Sequence, residues 1–132
     1  MGGFVKKAIF NEDMIYAGHA VNAGYCIAYA AEACVQHSHN YTCMQQFHRN
    51  FDLGVSQAEH PEVFDIVSSE QEGMKLVRDI IRHLCKTGHR VLIPYLFVSS
   101  AFKLIGYQLG KHFQSLPLRM VRWCSASKTY WD

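Results

Sequence analysis

An apolar repeat at helical spacing within residues 69–88 constrains the fold of this chain more than any other feature. The repeat consists of Met74, Val77, Ile80, Ile81 and Leu84. Residues three or four positions apart share one face of a helix, so this spacing predicts an amphipathic helix. Ser69 and Glu72 match a capping box at its start, and Gly88 suits its end. On the same helix, a basic stripe is formed by Lys75, Arg78, Arg82 and Lys86.

The first part of the chain has shorter signals of both kinds of secondary structure. Asn11 is a favourable N-cap and Gly24 a typical C-terminal glycine, which predicts a helix between them. Residues 25–29 and 34–37 favour two short strands. The core is expected to include Met14, Ile15, Val21, Tyr25, Tyr29, Phe47 and Phe51.

Helices dominate the prediction after residue 40. Thr42 and Gln45 form a second capping box, which predicts a helix to about residue 53. Pro61 suits the first position of a short helix through residue 67. A further helix is expected over residues 95–113, and a short one after Pro117. The predicted fold class is therefore α/β at first, with short strands after the first helix, and then a mostly α tail.

Charge divides the chain more sharply than its total of +2 suggests. Residues 1–74 carry three basic and nine acidic side chains, whereas residues 75–132 carry ten basic and two acidic ones. This asymmetry indicates an anionic partner for the second part, although a solvated helix face explains a basic stripe equally well. Because the sequence has no recognised reading motif, nucleic acid is not expected as that partner.

Composition and motifs exclude several classes of protein. The longest apolar stretch, residues 91–107, contains a proline, two serines and a lysine, and falls short of the ~18–20 apolar residues that cross a bilayer. The start lacks a signal-peptide pattern, so a cytoplasmic location is expected. The five cysteines form no CxxC pair, which disfavours a zinc knuckle and a disulfide framework.

Two local patterns contain side chains suited to chemistry. Glu12 and Asp13 open the first predicted helix, where acids are favoured by the helix dipole alone and where one of them can also serve as a general base. His37 and His39 stand two apart at a predicted strand end, so both imidazoles point to one face and can meet a metal. Two histidines leave a divalent cation short of ligands, and exposed strand ends often carry histidine without a chemical role.

Taken together, these pieces resemble the C-terminal half of a glycosyltransferase family 2 enzyme, specifically a bacterial rhamnosyltransferase. The resemblance extends in order along essentially the whole chain. The matching residues are 2–4, 10–14, 24–25, 29, 32–33, 35, 37–41, 49–55, 72–73, 103–111, 116–117 and 125–131. It implies the acceptor-side part of a GT-A fold. It also implies inverting transfer of a sugar from a nucleotide-diphosphate sugar to a saccharide or lipid-linked acceptor in surface polysaccharide synthesis.

The resemblance also assigns roles to individual residues. Asp13 would be the base that removes the acceptor proton, with Glu12 orienting the helix or binding an acceptor hydroxyl. His37, and then His39, would complete a Mg²⁺ or Mn²⁺ site. The phosphate- or acceptor-binding set would be Arg49, Gln46 and Gly3. Gln46 and Arg49 match part of a Q-x-x-R-W motif, but position 50 is Asn instead of Trp.

The departure from the family lies at the front of the chain. A nucleotide-binding half with a DxD motif is absent, and such a half adds on the order of 100 residues. The chain is therefore expected to be a fragment that is inactive alone and holds a metal only with ligands from the missing half. Its catalytic portion would be residues 1–58, and residues 59–132 a helical extension of the same folding unit.

Exposed strand edges would follow from such a truncation, so self-association is a further expectation. The alternative function is a non-catalytic helical module that binds a partner or an anionic membrane surface. The cations available for that surface are Lys75, Arg78, Arg82, Lys86, Arg90, Lys111, Arg119 and Arg122. Such binding would place the chain peripherally at the inner face of the plasma membrane.

Overall fold

A computed structural model describes residues 3–5, 7–36, 39–65 and 69–132. The described residues form helices α1 (Glu12–Asn22), α2 (Cys43–Glu59), α3 (Pro61–Phe64), α4 (Ser69–Lys86), α5 (Ile93–Lys111) and α6 (Leu118–Cys124). Three short 3₁₀ turns lie at Arg90–Leu92, Phe113–Ser115 and Lys128–Trp131. The predicted succession of helices is confirmed in these ranges.

Helix α1 begins and ends where its sequence predicts. Gly24 adopts a left-handed φ of 85°, while the Tyr25 N–H donates to the Ala20 carbonyl (3.0 Å) and the Gly24 N–H to the Val21 carbonyl (2.9 Å). These two bonds form a Schellman motif. At the other end Asn11 is the N-cap residue, as predicted, with a φ of 58°, although its side chain makes no capping hydrogen bond.

Helix α2 begins at the predicted capping box and continues further than predicted. The Gln45 N–H donates to Thr42 Oγ1 (3.2 Å), and the Thr42 N–H donates to Gln45 Oε1 (2.9 Å). The helix then runs to Glu59 instead of ending near residue 53. Its last turns persist because Gly54 and Val55 are buried, which favours helix over the turn that a glycine alone suggests.

The core forms where α2 and α5 lie side by side. A Cβ added at Gly106 would stand 2.3 Å from the Phe47 carbonyl oxygen, and one at Gly110 would stand 2.1 Å from that of Phe51. Glycine at both positions therefore lets the two backbones touch. The buried cluster at this contact is Phe47, Phe51, Val55, Val121 and Cys124.

A buried carboxylate attaches the end of the chain to α2. Asp52 Oδ2 accepts hydrogen bonds from the backbone N–H groups of Ala126 (3.0 Å) and Ser127 (3.1 Å). One turn earlier, His48 Nδ1 bonds the Cys124 carbonyl at 2.7 Å. Burial raises the pKa of the Asp52 carboxyl, although these hydrogen bonds oppose the shift. The C-terminal segment is thereby fixed beside the α2–α5 core.

The two predicted strands are absent from the described residues. Residues 25–36 form an exposed irregular segment whose backbone bonds there are local, such as that from the Ala33 N–H to the Ala30 carbonyl (3.1 Å). A strand needs a neighbour to satisfy its backbone groups, and none of the described segments pairs with this one. The GT-A fold therefore stays a prediction, as does the division at residues 58 and 59.

The predicted core is correct only where helices meet. Ile15, Phe47 and Phe51 are buried. Four others are exposed, and these are Met14, Val21, Tyr25 and Tyr29. Tyr29 is 93% exposed, because the segment predicted as a sheet does not form a layer over it.

Candidate functional site

The acidic pair lies at the exposed start of α1. Glu12 and Asp13 occupy the first helical turn, and both side chains reach solvent. The Met14 N–H donates to Asp13 Oδ1 at 2.8 Å, which orients that carboxylate across the end of the helix. The exposed Asp13 carboxylate is thereby open to a ligand hydroxyl.

Arg49 lies between two aromatic rings. Its guanidinium carbon is 5.0 Å from the centre of the Phe10 ring and 4.8 Å from that of Tyr41. A planar guanidinium stacks well on aromatic faces and keeps its N–H groups at its edge for an anion. The half-buried Arg49 side chain is thus held in one place by the two rings, and within the described residues no carboxylate forms an ion pair with it.

Phe10 connects this arginine to the acidic pair. Ser56 Oγ of α2 donates to the Phe10 carbonyl at 2.7 Å, and Ser56 is itself 1% exposed. Asn11, Glu12 and Asp13 follow Phe10 directly. The contact therefore anchors the start of α1 beside the face of α2 that carries Arg49.

His39 adds an imidazole to the same edge. Its ring stacks on Tyr41, with centroids 4.8 Å apart and an interplanar angle of 21°. Tyr41 in turn contacts Arg49. We refer to Glu12, Asp13, His39, Tyr41 and Arg49 as the candidate site.

The predicted metal ligands are not assembled by the part of the chain that the structure describes. His37 lies outside the described residues. Among those residues, no three histidine, cysteine, aspartate or glutamate side chains are grouped so as to hold a metal ion. The described residues therefore do not by themselves form a binding site for a divalent cation, and the metal stays a prediction.

The remaining predicted residues differ in their surroundings. The Gln46 carbonyl accepts a hydrogen bond from Asn50 Nδ2 (2.7 Å), so the Asn50 side chain bonds to the backbone of its own helix one turn earlier. Gly3 is exposed with a φ of 84°, and a Cβ built on it would meet no atom within 4 Å. No contact among the described residues brings Gly3 or the Gln46 side chain to the candidate site, and their binding roles remain predictions.

The two rings that hold Arg49 were not among the predicted site residues. Phe10 precedes Arg49 by 39 positions and Tyr41 precedes it by eight, so only the tertiary fold brings both rings to the guanidinium. The one available signal was the placement of Tyr41 just before the Thr42 cap of the helix that carries Arg49. Asp52 was also missed, because a carboxylate in the middle of a helix ordinarily reads as surface charge.

Comparison with known proteins adds to this geometry. Over its full length, the chain is 44% identical to a protein named O-antigen chain rhamnosyltransferase WbaN of Salmonella anatum. It is 42% identical to one named O-antigen chain rhamnosyltransferase RfbN of Salmonella typhimurium. The chain spans 42% of the length of each of these relatives. No family model and no solved structure matches it.

Proposed function

We propose that this chain is the acceptor-side portion of a rhamnosyltransferase that acts in the synthesis of O-antigen or a related surface polysaccharide. Two similar proteins carry that name, and the similarity extends over all 132 residues. The observation that supports the proposal is the Arg49–Phe10 stacking contact, because a guanidinium, which is suited to binding phosphate, lies there beside the segment that leads into Asp13. The substrates are a nucleotide-diphosphate sugar and a saccharide acceptor.

In this proposal Asp13 acts as the general base. Its carboxylate takes the proton of the acceptor hydroxyl while that oxygen attacks the anomeric carbon of the donor. The bond from the anomeric carbon to the diphosphate oxygen breaks, and the nucleoside diphosphate leaves with the electron pair. Attack from the face opposite the leaving group inverts the anomeric centre. Glu12, one position earlier, orients the acceptor by accepting a hydrogen bond from a second hydroxyl of that molecule.

Arg49 stabilises the departing diphosphate. A guanidinium forms paired hydrogen bonds with phosphate oxygens, and these strengthen as negative charge develops on the leaving group. Phe10 and Tyr41 hold the arginine in position before the donor binds. His39, stacked on Tyr41, supplies a second contact to phosphate.

A chimera tests the proposal directly. The aligned segment of the Salmonella anatum relative is replaced by this chain, and transfer of rhamnose from its nucleotide donor is measured. We expect the chimera to transfer sugar and the isolated 132 residues to show no transfer, because they span only 42% of the length of the relatives. Turnover of a nucleotide sugar by the isolated chain would contradict the fragment interpretation.

Variants of the chimera separate the base from general charge effects. Asp13→Asn is expected to lower kcat by about 10² to 10⁴-fold, since it removes the proton acceptor. Asp65→Asn is the matched control, because Asp65 is an exposed acid just after α3. Equal activity of the Asp13→Asn and Asp65→Asn chimeras would refute the role of Asp13.

A further inference from the structure

Helix α5 has two faces of opposite character. One face carries Gly106, Tyr107 and Gly110, which are buried against α2. The opposite face carries five apolar residues at helical spacing, and all of them are exposed. We call this the α5 apolar face, and its residues are Phe97, Val98, Ala101, Leu104 and Ile105.

The exposure of this face is large for a protein surface. Phe97 is 56% exposed, Leu104 51% and Ile105 54%. The chain as a whole exposes 9778 Å², whereas a compact protein of 15.1 kDa exposes about 7,100 Å². Contiguous apolar patches of this kind mark a surface that another molecule covers.

The charge around α5 indicates which kind of molecule would cover the α5 apolar face. Between Ile80 and Trp131 the sequence has eight cations and no acid, and the cations are Arg82, Lys86, Arg90, Lys103, Lys111, Arg119, Arg122 and Lys128. Two of them form ion pairs with acids just outside this range, Arg82 with Asp79 and Arg122 with Asp132. Arg90 and Lys111 lie at the two ends of the helical stretch, and Lys86 lies at the end of α4. A surface that is both apolar and basic complements one that offers hydrocarbon beneath negative charge.

The same helix is unsuited to crossing a bilayer. Arg90–Lys111 is 22 residues long and meets the length and composition of a membrane span. Its glycine face, however, is in backbone contact with α2, which carries Arg49, Asp52 and His48. A spanning α5 would draw these polar groups into hydrocarbon or give up the core, and both are unfavourable.

We infer that the α5 apolar face docks on the surface of an anionic bilayer, with the helix lying in the plane of the membrane. Phe97, Leu104 and their neighbours enter the acyl boundary. The cations of α4 and of the ends of α5 contact lipid phosphates. Helix α2 and the candidate site stay on the aqueous side. The inference is independent of sugar transfer, because neither the face nor its test involves a donor or an acceptor.

Sedimentation with vesicles tests the inference on the full 132-residue chain. We expect binding to phosphatidylcholine vesicles that contain about a quarter phosphatidylglycerol, and at least tenfold weaker binding to phosphatidylcholine alone. Phe97→Ser and Leu104→Ser should each weaken binding about tenfold. Val35→Ser is the matched control, because Val35 is 88% exposed and lies far from α5 in sequence, and it should bind like the unmodified chain.

Three outcomes would overturn the inference. Equal binding of Phe97→Ser and Val35→Ser would show that the α5 apolar face is not the contact. A concentration-dependent dimer that Phe97→Ser and Leu104→Ser abolish, without vesicle binding, would assign the face to a second copy of the chain. Loss of vesicle binding in the chimera would show that the remainder of the longer protein covers the face. Circular dichroism of each variant checks that it is folded.

Discussion

The close approach of α2 and α5 gives the sharpest test of the fold. In Gly110→Ala the new methyl carbon would stand 2.1 Å from the Phe51 carbonyl oxygen and 3.0 Å from Gly54 Cα. Both obstacles are backbone atoms, so no side-chain rotation relieves the clash. Ordinary contact needs about 3.5 Å, so the helices must separate by about 1 Å or more.

That separation sets the expected loss of stability. Overpacking of a close-packed core costs about 1–3 kcal/mol, and contact with a backbone atom lies at the upper end. Alanine in place of glycine returns about 1 kcal/mol through helix propensity. We therefore expect Gly110→Ala to lower the free energy of unfolding by about 2 kcal/mol, or Tm by about 8 °C.

A second glycine provides the matched control. Gly73 lies inside α4, and a Cβ there would meet no atom within 4 Å. Gly73→Ala gains helix propensity without a clash, so it should raise the free energy of unfolding by up to about 1 kcal/mol. Urea unfolding followed by far-UV circular dichroism measures both variants.

The result that refutes this reasoning is a Gly110→Ala chain as stable as Gly73→Ala. The double variant Gly106→Ala with Gly110→Ala adds a second check. One separation of the helices relieves both clashes, because Gly106 meets the Phe47 carbonyl oxygen of the same helix α2. The double variant should therefore lose less stability than the sum of the two single variants.

Three further predictions concern charged and polar groups. Burial raises the pKa of Asp52 in the folded chain, so the folded state binds its proton more tightly than the unfolded state does. The stability of the unmodified chain relative to Asp52→Asn should therefore fall as pH rises through that raised pKa, in urea titrations at several acidic pH values. Burial, with a hydrogen bond to Glu59, raises the pKa of Tyr130 to about 12. An ultraviolet titration should lose one late-ionising phenol in Tyr130→Phe, and the loss of stability above about pH 10 should become smaller in that variant. In the chimera, Arg49→Lys should lower kcat/KM at least about tenfold, because an ammonium keeps the charge but loses the stacked, paired geometry; unchanged kcat/KM would contradict the role of Arg49.

Local signals in the sequence predicted the ends of helices well. The Thr42–Gln45 capping box and the Gly24 terminus depend on residues within one turn of each other, so their physics is visible in the sequence. The prediction of strands at residues 25–29 and 34–37 was wrong for the converse reason. A strand is stabilised by a partner elsewhere in the protein, and the β-like residues of this segment find none within the described residues.

The candidate site divides in the same way. Asp13 and Arg49 were proposed from the family resemblance, and in the structure the residue before α1 that contacts Arg49, Phe10, lies three positions from Asp13. The rings of Phe10 and Tyr41 that hold Arg49 could not be predicted, because these contacts form only when the start of α1 and the segment before α2 reach the same face of α2. The role of Asp52 required knowledge that the end of the chain returns to α2.

The distribution of side-chain size along α5 connects its packing to the inferred membrane surface. In a helix that lies within the core of a soluble protein, large apolar residues face inward and small or polar residues face water. Helix α5 combines two arrangements, because Tyr107, Phe102 and Leu109 lie against the core beside Gly106 and Gly110, whereas Phe97 and Leu104 face outward. Glycine makes the inner contact close but buries little apolar area, so most of the hydrophobic surface of this helix remains available to a second contact. The arrangement observed is suited to a helix that has α2 on one side and a bilayer on the other.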